Sequence, residues 1–301
     1  MNRIVGYNKS VNDVEFTIKK GETVGLVGES GSGKTTLGRC IVRLYDSTAG
    51  SIKFNVNGKM TELTNLSTKE MKNIRKNFQM LFQDVYSSLD TRMKISKIVT
   101  EPLDIHNVGT KKERIERAKE LMIKVGLSEN DLEKYPHQFS GGQRQRIGIT
   151  RALSINPEFI ICDEPVSALD VSVQAQILNL LVDLKNEFNL SYLFIAHDLS
   201  VVKYISDRII VMYLGKILEI ASSSDIYESP RHPYTEALLA AISKNEAGSK
   251  RDILLKGNIP DPSNPPSGCV LHPRCSYARD ICKNITPELM PVKGKPNAFA
   301  A

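Results

Sequence analysis

The sequence predicts an α/β fold built on a largely parallel sheet, and three observations predict it. Apolar runs at residues 23–27, 159–164, 191–196 and 208–213 read as buried strands, separated by stretches whose apolar residues recur at helical spacing. The first run leads directly into Gly28-Glu29-Ser30-Gly31-Ser32-Gly33-Lys34-Thr35-Thr36, after which Leu37, Cys40, Ile41 and Leu44 recur at helical intervals. Strand, glycine-rich loop and helix thus follow one another without interruption. Two later runs end in reactive side chains, one in Asp163-Glu164 and the other at His197-Asp198. An open α/β sheet keeps its ligand crevice at the carboxyl ends of its strands, which is where these groups are expected.

In chain order, Val14-Glu15-Phe16-Thr17-Ile18 alternates apolar and polar residues as an edge strand should, and Lys20-Gly21-Glu22 turns the chain into 23–27. A strand is expected over 51–56 and a helix over 66–75, opened by Ser67 with Glu70 three residues on as a capping box. Met80-Leu81-Phe82 reads as a short strand ending at Gln83. The pattern from about 95 to 125 is helical; it includes 111–126, where Ile115, Ala118, Leu121, Met122 and Val125 share one side and Gly126 is the stop. Phe139-Ser140-Gly141-Gly142-Gln143 opens a helix reaching Leu153, and strand, helix, strand order continues through 208–213. Beyond Ser223 a helix over 235–243 precedes a Pro- and Gly-rich linker.

With 301 residues, 41% of them hydrophobic, the chain can bury a large core as one domain or two. The net charge of +6 is spread among nearly as many acids, the pattern of a mixed solvated surface rather than of a nucleic-acid partner. No segment approaches the roughly 18 apolar residues of a membrane span. The start, Met1-Asn2-Arg3-Ile4-Val5, lacks a leader's apolar run, so a cytosolic location is expected. There the five cysteines are not a disulfide framework, and Cys40 and Cys162 fall in apolar patterns as small core residues.

The loop fits a Gly, four residues, then Gly-Lys-Ser/Thr, a pattern whose glycines let backbone N–H groups turn inward around a β-phosphate. Lys34 would reach the β and γ oxygens and the Thr35 hydroxyl would ligate Mg²⁺. Asp163 is suited to hold the same ion, Glu164 to orient and deprotonate a water, and His197 to reach the γ-phosphate.

The phosphate loop, Gln83, Ser140-Gly141-Gly142-Gln143, Asp163-Glu164, Ser167-Ala168-Leu169-Asp170 and His197 occur in the order and spacing of ATP-binding cassette (ABC) transporter subunits, which the chain resembles over nearly its whole length. More narrowly, residues 165–172, His232-Pro233-Tyr234-Thr235 and Asn264-Pro265-Pro266-Ser267-Gly268-Cys269 resemble the oligopeptide/dipeptide importer subfamily and its F-type subunits. The resemblance implies a P-loop NTPase (RecA-like) core with an antiparallel β subdomain, an inserted helical subdomain and a small C-terminal extension. Residues 1–83 and 157–222 would be the nucleotide-binding core, 84–156 the helical subdomain with the signature, and 223–301 the extension.

It further implies that two such subunits trap two ATP molecules, each between one phosphate loop and the partner's Ser140, Gly141, Gly142 and Gln143. Gln83 would contact Mg²⁺ and the attacking water, Glu164 would be the general base, His197 the γ-phosphate contact, and Asp170 the coupling residue across the dimer. The implied partners are a sister ATPase subunit, with a heterodimer expected over a homodimer, two membrane permeases and an extracytoplasmic solute-binding protein. The protein would sit peripherally on the cytoplasmic face of the membrane. Peptides are the expected cargo, with nickel or another small solute as the alternative. DNA-repair ATPases need a coiled-coil insertion between loop and signature, and translation-type proteins carry two cassettes; neither pattern is present here. Two features depart from the family pattern. Upstream of the loop, Tyr7 is the only aromatic before Phe16 that could stack on adenine, and its offset is slightly shifted. Cys269, Cys275 and Cys282 match three of the four thiolates that can ligate a [4Fe–4S] cluster in similar subunits, and residues 291–301 hold no fourth; either a cluster takes a non-cysteine fourth ligand or the thiols stay free, and an absent or labile cluster is expected.

Overall fold

The computed structural model describes residues 8–243, 255–295 and 298–301. Its elements run β1 (Thr23–Val27), α1 (Lys34–Ile41), β2 (Lys53–Val56), β3 (Lys59–Glu62), α2 (Thr68–Ile74), β4 (Phe78–Leu81), α3 (Val85–Ser88), α4 (Ile95–Ile105), α5 (Lys111–Lys124) and α6 (Gly141–Leu153). They continue with β5 (Phe159–Asp163), α7 (Val171–Phe188), β6 (Ser191–Ile195), α8 (Leu199–Ile205), β7 (Arg208–Tyr213), β8 (Lys216–Ser222), α9 (Ser223–Glu228), α10 (Pro233–Ser243), β9 (Met290–Pro291) and β10 (Phe299–Ala300).

Two compact units divide the chain. The first holds the described residues up to Ile18, Thr23–Leu37 and those of Phe194–Ala301. In it β1 lies parallel to β7, with Val24 opposite Arg208 and Val27 opposite Val211. Strands β7 and β8 are antiparallel, with an irregularity between Val211 and Met212, and β8, β10 and β9 continue the sheet in antiparallel fashion. Every side chain of β1 is buried, the burial that a run without polar alternation implies when both faces of a sheet are covered.

The second unit holds Lys19–Glu22 and Gly38–Leu193. Its β4 and β5 are parallel, with Phe78 opposite Phe159 and Leu81 opposite Cys162. Strands β2 and β3 form an antiparallel hairpin turning at Asn57 and Gly58, both at positive φ. An Asn-Gly pair between short alternating strands signals that turn, although the sequence reading above placed only the first strand. Helices α4, α5 and α6 pack together, burying Ile98, Val99, Leu121, Met122, Ile147 and Ile149.

The capping box expected at Ser67 and Glu70 closes the start of α2, and Thr110 with Glu113 does the same for α5. The helical stretch over 95–125 is two helices, because Asn107 and Gly109 take positive φ between them. Residues 14–18 are a correction. They join no strand ladder and are held instead by contacts such as Arg208 donating to the Thr17 carbonyl, since alternation shows a half-buried face but supplies no partner edge. The helix expected from Thr235 begins at Pro233, a residue well suited to a first helical turn. Tyr7 lies outside the described residues, as do residues 244–254 that follow α10.

Candidate functional site

In the first unit the phosphate loop leaves the end of β1 and closes into α1. Its two outer glycines have no room for a side chain. A Cβ at Gly28 would stand 2.0 Å from the Met212 carbonyl oxygen, and one at Gly33 would stand 1.9 Å from that of Ser10. Gly215 N–H donates to the Ser32 carbonyl at 2.9 Å, and Ser32 N–H to that of Glu29 at 3.2 Å. Lys34 is buried, its Nζ donating to the carbonyls of Gly28 (2.7 Å) and Glu29 (3.0 Å) and to Ser32 Oγ (3.3 Å). A buried ammonium ringed by loop carbonyls is held at the mouth of a turn whose Ser30 and Gly31 are exposed. Thr35 and Thr36 stand half-buried in the first turn of α1.

His197 is exposed one residue beyond Ala196, whose N–H donates to the Leu26 carbonyl at 3.1 Å. That bond sets the end of β6 alongside the end of β1, so His197 and the phosphate loop leave the sheet on the same edge.

In the second unit β4 and β5 run parallel and empty at one end into Gln83 and Asp163-Glu164. Gln83 Nε2 donates to Glu164 Oε2 at 3.1 Å, joining residues 81 positions apart. Asp163 is almost completely buried at the strand end, whereas Glu164 is half-buried at φ 46°, a sparsely populated conformation for a residue with a side chain. Ser167 Oγ donates to the Glu164 carbonyl at 3.1 Å and braces that turn. Asp170 caps α7, accepting from Val173 N–H at 3.0 Å and from the Ser172 hydroxyl at 2.7 Å. The Ser172 bond foremost, then the Val173 amide, holds its carboxyl below the usual range. Ser140 caps α6 through a capping box with Gln143. Ser140, Gly141 and Gln143 are exposed, so this helix start faces outward. A Cβ on Gly142 would meet Val173 Cγ1 at 2.5 Å, which is why the second residue of α6 is glycine.

Burial raises the thiol pKa of Cys40, of Cys162 within β5, and of Cys269. Cys269 N–H donates to the Cys282 carbonyl at 2.8 Å, yet among the described residues no three His, Cys, Asp or Glu side chains are grouped to hold a metal ion.

A family profile described as ABC transporter matches residues 11–167. The oligopeptide transport ATP-binding protein AppF of Bacillus subtilis (strain 168) is 52% identical over 99% of this chain and 90% of its own length. The chain belongs to the ABC transporter family. As an ABC cassette it is an ATPase on an α/β P-loop NTPase fold. A second profile, the C-terminal region of oligopeptide/dipeptide transporters, matches residues 218–282. A putative peptide import ATP-binding protein of Brucella ovis is 52% identical over 97% of this chain and 91% of its own. The dimeric ABC cassette MJ0796 in a post-hydrolysis state with ADP and Pi superposes with a TM-score of 0.63 at 31% identity, covering 71% of this chain and 90% of that one. No helix among the described residues is long and apolar enough to cross a membrane.

What the sequence reading missed is the grip on Glu29. Its N–H donates to Tyr234 Oη at 2.9 Å and its carboxylate takes a two-point bond from Arg274. Only the unusual burial of an arginine 245 positions away reveals that pair, and burial is not written in a sequence.

Proposed function

We propose that this ATPase drives import of oligopeptides or dipeptides through a membrane permease, working on the cytoplasmic face of the membrane. The observation that carries the reading is the match of residues 218–282 to the C-terminal region of oligopeptide/dipeptide transporters, joined in one chain to an intact phosphate loop. The names of the full-length relatives support the same cargo.

In this reading the loop Gly28–Thr36 holds the triphosphate through its N–H groups, with Lys34 on the β and γ oxygens. Thr35, Asp163 and Gln83 would hold Mg²⁺, a hard cation for which a buried carboxylate, a hydroxyl and an amide oxygen are fitting donors. The ion would neutralise charge on the phosphate oxygens. Glu164 takes the proton of the attacking water; its bond from Gln83 supports a role in orienting that base, because a base must be aimed before it can act. His197 contacts the γ-phosphate. The exposed Ser140, Gly141 and Gln143, with the half-buried Gly142 between them, would complete the nucleotide site of a facing sister subunit, with Asp170 coupling the two sites, and the dimeric form of MJ0796 supports that pairing. A sister ATPase, two permeases and a solute-binding protein complete the assembly. No step runs through an iron–sulfur group.

Glu164→Gln in the assembled transporter should retain Mg·ATP binding while turnover falls ~100-fold or more, the usual contribution of a general base. Unchanged hydrolysis removes Glu164 from its role. Uptake of labelled di- and oligopeptides by cells lacking this chain tests the cargo, and intact peptide uptake alongside lost nickel uptake overturns the peptide assignment.

A further inference from the structure

Glu29, the second residue of the phosphate loop, carries a negative charge into a loop that must accept a polyanion. Nothing in the chemistry of phosphate binding asks for an acid there. In this chain the charge is cancelled from far along the sequence. Arg274 Nη1 lies 2.6 Å from Glu29 Oε2 and its Nη2 lies 3.1 Å from Oε1, the two-point fork that guanidinium and carboxylate form best. The arginine side chain is only 8% exposed, so solvent screens this pair weakly.

The arginine is itself held. Its Nη1 also donates to Tyr213 Oη at 3.3 Å, and its guanidinium lies over the Tyr213 ring, 5.8 Å from the centroid. The Tyr213 ring packs against Tyr234, with centroids 4.8 Å apart. Tyr234 is fully buried and its hydroxyl oxygen accepts the Glu29 N–H. Behind it, Tyr234 N–H donates to His232 Nδ1 at 3.1 Å, and the N–H groups of Arg231 and His232 both donate to the buried carboxylate of Glu219 in β8. Glu29 is therefore fixed at both its amide and its carboxylate by the chain beyond β7. Its carbonyl, in turn, accepts from Lys34 Nζ. One residue links the C-terminal region to the lysine that meets the nucleotide.

We propose that Arg274, with Tyr234, is a positioning residue for ATP: it cancels the Glu29 charge and sets the near side of the phosphate loop, so that the C-terminal region tunes nucleotide affinity. The inference rests on the loop binding ATP as described above. It makes the segment around Cys269 to Cys282 part of the nucleotide site's support, since Arg274 stands between Cys269 and Cys275 and its N–H donates to the Leu271 carbonyl at 2.9 Å.

The test is calorimetric titration of the purified full chain with Mg·ATP, comparing Arg274→Ala, Arg274→Lys and the double variant Glu29→Gln/Arg274→Ala. Arg274→Ala should weaken binding about tenfold, or about 1.4 kcal/mol, because an uncompensated carboxylate then faces the phosphates. Arg274→Lys should fall between, keeping the charge and losing the fork. The double variant should recover most of the affinity, which a merely structural loss would not allow. Binding by Arg274→Ala within twofold of the unaltered chain, or a loss that Glu29→Gln leaves untouched, overturns the inference alone. If the unaltered chain binds no Mg·ATP, the phosphate-loop assignment fails first and takes this one with it.

Discussion

Replacing Gly33 by Ala tests whether the loop is shaped by what lies behind it. Gly33 sits at φ +103°, a conformation that costs a residue with a side chain ~1–3 kcal/mol. Its Cβ would also stand 1.9 Å from the Ser10 carbonyl oxygen and 2.9 Å from Met212 Cε. A carbon and a carbonyl oxygen normally approach no closer than about 3.3 Å, so the gap must open by about 1.4 Å. The methionine can swing aside. The Ser10 carbonyl belongs to backbone that is pinned nearby, with Asn12 N–H donating to the Gly215 carbonyl at 2.8 Å. Overpacking adds ~1–3 kcal/mol. Together these terms predict a loss of roughly 2–6 kcal/mol and a fall in melting temperature on the order of 10 °C. Gly31 is the matched control: it has φ +79° but nothing within 4 Å of its Cβ, so Gly31→Ala carries the conformational cost alone. Scanning calorimetry of both variants isolates the clash as a difference of ~1–3 kcal/mol. Equal shifts for the two alanines would refute the reasoning.

Two further predictions concern the buried polar framework. His232 is buried and neutral, its pKa lowered to about 4 by desolvation. The unfolded chain therefore binds a proton that the folded chain does not between about pH 6.5 and 4. Stability is complete above that window and declines as pH falls through it, by about 2 kcal/mol between pH 8 and pH 5 for this one group. Urea midpoints at those two pH values measure it, and His232→Gln should flatten that part of the dependence. Tyr192 Oη donates to the Leu181 carbonyl at 3.1 Å in the core, so Tyr192→Phe should cost ~1 kcal/mol in urea denaturation with Mg·ATP affinity unchanged.

Much of this protein could be read along the chain, because its signals are local. The Gly28–Thr36 loop is recognised by glycines and a lysine at fixed offsets, and the capping box at Ser67 and Glu70 by two residues one turn apart. The buried strands were legible because their interiors are apolar runs, with Thr23, Asp163 and Ser191 confined to strand ends. The failures share a cause as well. Val14–Ile18 alternates like a strand but finds no edge to pair with, and the single helical stretch over 95–125 is cut by backbone conformations at Asn107 and Gly109 rather than by a break in its apolar pattern.

Covalent order alone determined which residue types stand at the ends of the strands and in the phosphate loop, since spacing of a few residues dictates which backbone groups and side chains share a turn. The bond from Gln83 to Glu164 and the clamp of Arg274 and Tyr234 on Glu29 were decided only by tertiary structure. Those pairs span 81 to 245 residues, and a contact across such a distance exists only once strand register and burial have brought its two ends together.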